Sequence, residues 1–242
     1  MVHGLTMHAK VSAARASARQ PPIVLVHGLG LSHAYMMPLA EVLAGELKVF
    51  VPDLPGFGQS MHPQHLPDLA QLADWLHAWI GASGLERVFL LGNSQGCQVI
   101  GHLAARYPGP VAGCILQGPT SPPEERTWLR QAIRWRQNNR YNPPELDPPT
   151  WHAYRQAGIL RVLRTFRLGL RDALETVVPH IAAPTLVVRG QHDPICRAQW
   201  AQTLVERLPD GRLVVIPDVA HTLVFTAPEQ LAAVTLQFIG NL

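Results

Sequence analysis

Gly92-Asn93-Ser94-Gln95-Gly96 sets a serine between two glycines, directly after the apolar run 88–91 and directly before a helical pattern at Val99, Ile100, Leu103 and Ala104. A serine on a tight strand-to-helix turn must adopt strained backbone angles, and side chains at the flanking glycine positions would collide with strand and helix. Its hydroxyl then stands clear of the sheet, against the positive N-terminal end of the helix behind it. Such a serine attacks a carbonyl only with a base beside it. Two downstream segments offer the base and its orienter. Asp193 lies in Gly190-Gln191-His192-Asp193-Pro194, just past an aliphatic run at 185–189, and His221 lies in Asp218-Val219-Ala220-His221, just past 213–216. In this arrangement His221 takes the serine proton and hands it to the leaving group, while Asp193 fixes the imidazole tautomer.

Acyl transfer also needs donors for the oxyanion. The run Ile23-Val24-Leu25-Val26-His27-Gly28-Leu29-Gly30 is a strand followed by a glycine-containing turn, so the backbone amides of Leu29 and Gln95 are the expected pair. Asp218 and Asp53 are rival carboxylates, and both fit better as loop-fixing hydrogen-bond acceptors. His192 has no second ligand at helical or turn spacing, so no metal is expected there. His27 reads as a brace for the oxyanion loop. His33 is a candidate for the pocket wall, the plainer reading being a solvent-exposed loop histidine.

These loops work together only if the strands before them are parallel neighbours. Short aliphatic runs at 23–27, 47–52, 88–92, 111–116, 185–189 and 213–216 alternate with amphipathic patterns at 36–43, 66–80, 95–107, 197–208 and 228–239. That alternation predicts an α/β fold, a mostly parallel sheet with helices on both faces. The stretch 119–182 breaks it, with prolines, no convincing strand and three expected helices. It reads as a helical insertion in which Trp128, Ala132 and Trp135 share one face and Arg126, Arg130 and Arg134 another, the latter solvated by default. Trp128 and Trp135, with Trp151 and Tyr154, are candidates to line a substrate pocket.

The 242 residues are 47% hydrophobic and 15% charged, enough to bury one sizeable core. The net charge of +3 is carried by arginines concentrated between Arg126 and Arg171, without the excess or aromatic interleaving of a nucleic-acid surface. Cys97, Cys114 and Cys196 are too few and too scattered for a disulfide framework and suit a reducing compartment. No stretch reaches the ~18 apolar residues of a membrane span. Residues 12–19, rich in Ala, Ser and Arg, have a transit-peptide flavour, but the strand at 23–27 follows at once. A cytoplasmic monomer or homodimer acting on a small molecule, with no cofactor and no metal, is expected.

With these motifs in this order the sequence resembles the α/β-hydrolase superfamily, in its branch of capped esterases, lactonases and carbon–carbon hydrolases. His27-Gly28-Leu29-Gly30, Asp53-Leu54-Pro55-Gly56-Phe57-Gly58-Gln59-Ser60, the Ser94 turn, Gly190 to Pro194 and Ala220-His221 carry the resemblance. It implies core segments at 1–120 and 182–242 and a helical cap at 121–181. It further implies hydrolysis of a carboxylic ester or lactone through an acyl-enzyme. The nearest alternatives are carbon–carbon cleavage of a carboxylate-bearing vinylogous diketone, with cap arginines as carboxylate ligands, and a non-catalytic small-molecule receptor on the same fold. Two departures stand out: little strand is evident before Ile23, and Cys97 follows the second glycine of the turn.

Overall fold

The computed structural model describes residues 2, 4–13 and 20–242. Most of the 12–19 stretch therefore lies outside the described residues. Among the described residues seven strands form one sheet: β1 (Ala9–Val11), β2 (Ile23–Val26), β3 (Val49–Pro52), β4 (Val88–Asn93), β5 (Val111–Gln117), β6 (Thr185–Gly190) and β7 (Gly211–Ile216), in the order β1-β3-β2-β4-β5-β6-β7. All pairs are parallel except β1 with β3, where Ala9 stands opposite Pro52. β1 escapes the sequence reading because three residues, Ala-Lys-Val, half-exposed on a sheet edge, carry no hydrophobic alternation.

Ten helices accompany the sheet among the described residues: α1 (His33–Leu43), α2 (Leu69–Ala82), α3 (Gln95–Arg106), α4 (Trp128–Asn138), α5 (Asp147–Ala157), α6 (Ile159–Arg171), α7 (Leu174–Val177), α8 (Ala198–Arg207), α9 (Leu223–Thr226) and α10 (Pro228–Gly240). The two-residue period of a strand divides its side chains between two cores. Val24, Val26 and Leu90 pack with α2, α3 and α8 on one face, while Ile23, Leu25, Phe89 and Leu91 pack with α1 and α10 on the other. Because both faces are covered, the central strands read as unbroken apolar runs. Helix α2 starts at Leu69, three residues after the start expected at 66, because Asp68 caps it: the Asp68 side chain accepts from the Gln71 amide and the Gln71 side chain accepts from the Asp68 amide.

Strand order reverses between β2 and β4, since the chain leaves β2 toward β3 on one side and runs from β4 through β7 on the other. In open parallel sheets such a reversal opens a crevice at the carboxyl ends of the strands. Ser94 follows β4 and Leu29 follows β2, so both stand at that crevice. The helices α4 to α7 lie between β5 and β6 in the chain. Helix α6 is tied down on α3, with Gln95 Nε2 donating to the Thr165 carbonyl at 3.1 Å and Gln98 Nε2 to the Gly169 carbonyl at 3.0 Å.

Candidate active site

Ser94 sits at φ 54°, ψ −119°, outside the regions an L-residue prefers. The space explains its flanks. A Cβ on Gly92 would lie 2.6 Å from the Gly96 backbone, and one on Gly96 would lie 2.4 Å from the Val26 carbonyl oxygen. The turn is pinned by the Ser94 amide donating to the Gln117 carbonyl at 2.8 Å. Gln95 is the first residue of α3, so its N–H is one of those a helix leaves without an internal acceptor.

Asp193 and His221 arrive from β6 and β7. His221 Nδ1 and Asp193 Oδ2 are 2.8 Å apart, and the carboxylate is fully buried. Asp193 Oδ1 accepts from the amides of Ile195 and Cys196, both at 2.8 Å. Arg189, at the end of β6, locks this loop by donating to the carbonyls of Cys196, Gln191 and Asp193. His221 Nε2 is buried and has no hydrogen-bond partner among the described residues. His221 lines a cavity of about 280 Å³ together with Leu29, Ser94, Trp135 and Tyr154.

Further polar residues, unmarked by any sequence motif, hold the histidine loop. The His221 amide donates to Asn138 Oδ1 at 3.0 Å, and Thr222 Oγ1 donates to Asn142 Oδ1 at 2.8 Å. Gln117 Nε2 donates to the His221 carbonyl at 3.0 Å, and Asn93 Nδ2 donates in turn to Gln117 Oε1. Asn138 and Asn142 lie 79 or more residues from His221 in sequence, and asparagines at the end of a polar helix and in the turn after it carry no pattern that could have marked them.

Two expected pocket residues are elsewhere. His33 is neither in the cavity nor in solvent. It is buried against Asp53, its Nδ1 at 2.8 Å from Oδ2 and its amide donating to Oδ1 at 2.6 Å. Trp128 packs edge-to-face on Phe166, away from the Ser94 cavity, and lines a separate groove. Trp135 does line the cavity, beside Trp151 and Tyr154. Asp218 is exposed, whereas the buried Asp193 holds His221. The arginine series is only partly a solvated face, for Arg130 is exposed while its two neighbours are paired. Arg126 pairs with Glu175, and Arg134 grips Glu125 at 2.5 and 2.9 Å, which holds the Glu125 carboxyl below its usual range. Among the described residues no arginine lines the Ser94 cavity.

Asp53 also accepts from the Gln59 amide at 2.9 Å, and His8 Nδ1 lies 2.9 Å from its Oδ2. His8, His33 and Asp53 have the chemistry of metal ligands. However, each histidine Nδ1 stands closer to Asp53 Oδ2 than the roughly 3.3 Å separating ligands around a tetrahedral zinc, and the carboxylate is saturated by hydrogen bonds. The trio is a brace for the loop after β3. His27 serves similarly: Nε2 accepts from the Leu54 amide at 3.0 Å while Nδ1 meets the Gly28 carbonyl at 2.9 Å, and burial lowers its pKa. Burial pushes the Cys97 thiol well above its usual range, and Cys97 Sγ donates to the Gly92 carbonyl, so this cysteine packs and does not react.

Known proteins share this arrangement of elements. The alpha/beta hydrolase fold family matches residues 21–153, and a TAP-like protein family matches residues 169–236. The chain is 26% identical, over 93% of both proteins, to curated relatives from Shigella flexneri and Escherichia coli called putative carbamate hydrolase RutD. Among solved structures it is similar to a thermophilic esterase from Thermogutta terrifontis, at 25% identity, TM-score 0.81 and coverage of 98% of this chain and 94% of that one. It shares its fold with an Exiguobacterium antarcticum esterase, at 19% identity, TM-score 0.82 and coverage of 98% and 96%. With more than half its length matched, and with a parallel sheet that presents Ser94 at its point of reversal, this chain belongs to the α/β-hydrolase family.

Proposed function

We propose that the protein is a serine hydrolase that cleaves a carboxylic ester or lactone through an acyl-enzyme, with Ser94 as nucleophile, His221 as base and Asp193 as its orienter. One observation carries the reading: His221 is fixed through Nδ1 by a buried carboxylate, while its other nitrogen is buried and unpartnered in the cavity that Ser94 lines. A buried nitrogen without a partner costs free energy, and a site that exchanges a proton there uses it in every turnover.

In the mechanism, His221 Nε2 removes the Ser94 proton as Oγ attacks the substrate carbonyl. The amides of Leu29 and Gln95 donate to the oxyanion, and the N-terminal end of α3 adds its field. The imidazolium, stabilised by Asp193, protonates the leaving oxygen. Water then repeats the cycle on the acyl-enzyme. Residues 121–181 act as a cap over the site, and the substrate is a small molecule. The name of the curated relatives points to a carbamate as a second acyl class that the same groups would handle. Carbon–carbon cleavage has less support, since Arg126 and Arg134 are bound to glutamates and, among the described residues, no arginine lines the Ser94 cavity to serve as a carboxylate ligand. Three buried, unpaired cysteines are compatible with a cytoplasmic location.

The test is turnover of p-nitrophenyl acetate, with labelling by a fluorophosphonate. Ser94→Ala lowers kcat by at least about 10⁴-fold and abolishes labelling. A wild-type protein that is folded yet neither labelled nor active would leave the receptor reading in its place.

A further inference from the structure

Ser94 lies where spaces of different character meet. The 280 Å³ cavity beside His221 is lined by Asn138, Asn139, Asn142 and Thr150 together with apolar side chains that include Leu31, Leu146 and Trp151. A second space, a groove of about 340 Å³, runs between α4 and α6 and opens at the surface. Its walls are apolar, with Trp128, Trp135, Phe166, Val162 and Leu163. Gln131 is the one amide there, and its Nε2 is already spent on the Glu125 carbonyl at 3.0 Å. A small gap of about 30 Å³ shares Leu29, Ser94 and Trp135 with the cavity and Leu29, Gln131, Trp135 and Phe166 with the groove. That gap touches Ser94 but not His221.

The chemistry of an acyl-enzyme assigns the two spaces. His221 must hand its proton to the leaving atom, so the leaving group lies on the His221 side of the scissile carbonyl. The acyl chain then departs on the opposite side, through the gap and into the groove. The groove's surfaces are wet without an occupant: Trp128 is 48% exposed and Leu163 44%. An apolar chain laid between them would remove that surface, and its own, from water.

Resting on the serine-hydrolase reading, we propose that the substrate is an amphiphile. An extended apolar acyl chain fills the groove between α4 and α6, and a small polar leaving group occupies the asparagine-lined cavity beside His221. The specificity-determining positions are Ala132, Leu163 and Phe166. Each added acyl methylene that enters the groove raises kcat/KM about fourfold, whereas methylenes added to the alcohol gain little.

Two ester series separate the sides: p-nitrophenyl esters with acyl chains from two to twelve carbons, and acetate esters of alkanols of the same lengths. The expected result is a steep rise with acyl length and a flat response to alcohol length. Ala132→Trp, which plugs the groove, and Leu163→Asp, which charges its wall, both sit at exposed positions and each collapses the ratio of long- to short-acyl kcat/KM by at least tenfold. A rise with alcohol length instead, or a ratio untouched by both variants, overturns the assignment. Binding keeps this apart from the hydrolase reading: methyl ketones of increasing chain length are titrated into Ser94→Ala by indole fluorescence. Affinity that climbs with chain length in Ser94→Ala and not in Ser94→Ala/Ala132→Trp supports the groove even if wild type hydrolyses nothing. Affinity independent of chain length refutes it even if wild type is an active esterase.

Discussion

Replacing Asp193 by Asn changes one atom and, on this geometry, the proton inventory of the site. Oδ1 accepts from the amides of Ile195 and Cys196, and Oδ2 accepts from His221 Nδ1. An asparagine has one accepting oxygen for these two duties. Turning its NH₂ toward the loop would set it against two buried N–H groups and leave both unsatisfied, at roughly 1–3 kcal/mol each. The oxygen therefore stays on the loop and the NH₂ faces His221 Nδ1. The ring must then accept at Nδ1, which moves its proton to Nε2, the nitrogen that has to take the Ser94 proton. A Ser-His-Asp site in that wrong tautomer loses about 10⁴-fold in kcat, or ~5 kcal/mol of barrier stabilisation. The assay is p-nitrophenyl acetate turnover across pH, with thermal unfolding to confirm the fold and ¹⁵N shifts of His221 to read the tautomer. An Asp193→Asn protein with kcat within tenfold of wild type, or with Nδ1 still protonated, would refute the reasoning.

Three other outcomes follow from the same structure. Ser94→Gly removes a side chain held at φ 54°, so it should be about 1–2 kcal/mol more stable to urea than Ser94→Ala while both are inactive; equal midpoints would mean the turn stores no strain. Gly96→Ala places a Cβ 2.4 Å from the Val26 oxygen and 2.8 Å from that of His27, so a loss above about 3 kcal/mol or failure to fold is expected, and a urea midpoint near wild type would contradict it. Burial alone would raise the Asp53 pKa, but His27 and hydrogen bonds from Gln59 and His33 bring it below the ordinary value. Its stabilising contribution is then complete above the unfolded pKa of ~3.9 and lost as pH falls through the lower folded value, so Asp53→Asn should flatten the acid limb of stability against pH.

Much of this arrangement could be read from one sequence because local and global signals agree. The runs at 88–92 and 185–189 are strands within a residue of where aliphatic clustering put them, and Pro228 opens α10 as a first-turn proline does. Ser94, Asp193 and His221 stood out because each ends or follows a strand in a glycine- or proline-marked loop. His33 did not behave as expected because its neighbour in space, Asp53, is 20 residues away, and nothing local tells a histidine which buried carboxylate will claim it. The same holds for Arg126 and Glu175, 49 residues apart. Helix α1 begins at His33, three residues before the amphipathic pattern becomes visible, although the serine at its N-cap is of a type that marks helix starts.

The two loops that bring Asp193 and His221 together are fastened differently. Arg189 rivets the Asp193 loop to the sheet and Gln117 holds the His221 carbonyl to the sheet as well, while Asn138 and Asn142 bond the His221 loop to α4 and the turn behind it. If the α4 region lifts to admit a substrate or free a product, either these two asparagine bonds part or His221 is drawn away from Gln117 and Asp193. Passage would in that way loosen the hold on His221. The His221 amide, whose acceptor is Asn138, is a built-in clock for this traffic. Its hydrogen exchange should quicken in Asn138→Ala and slow when the cavity is filled, and a rate indifferent to both would mean that α4 and the sheet do not move against each other.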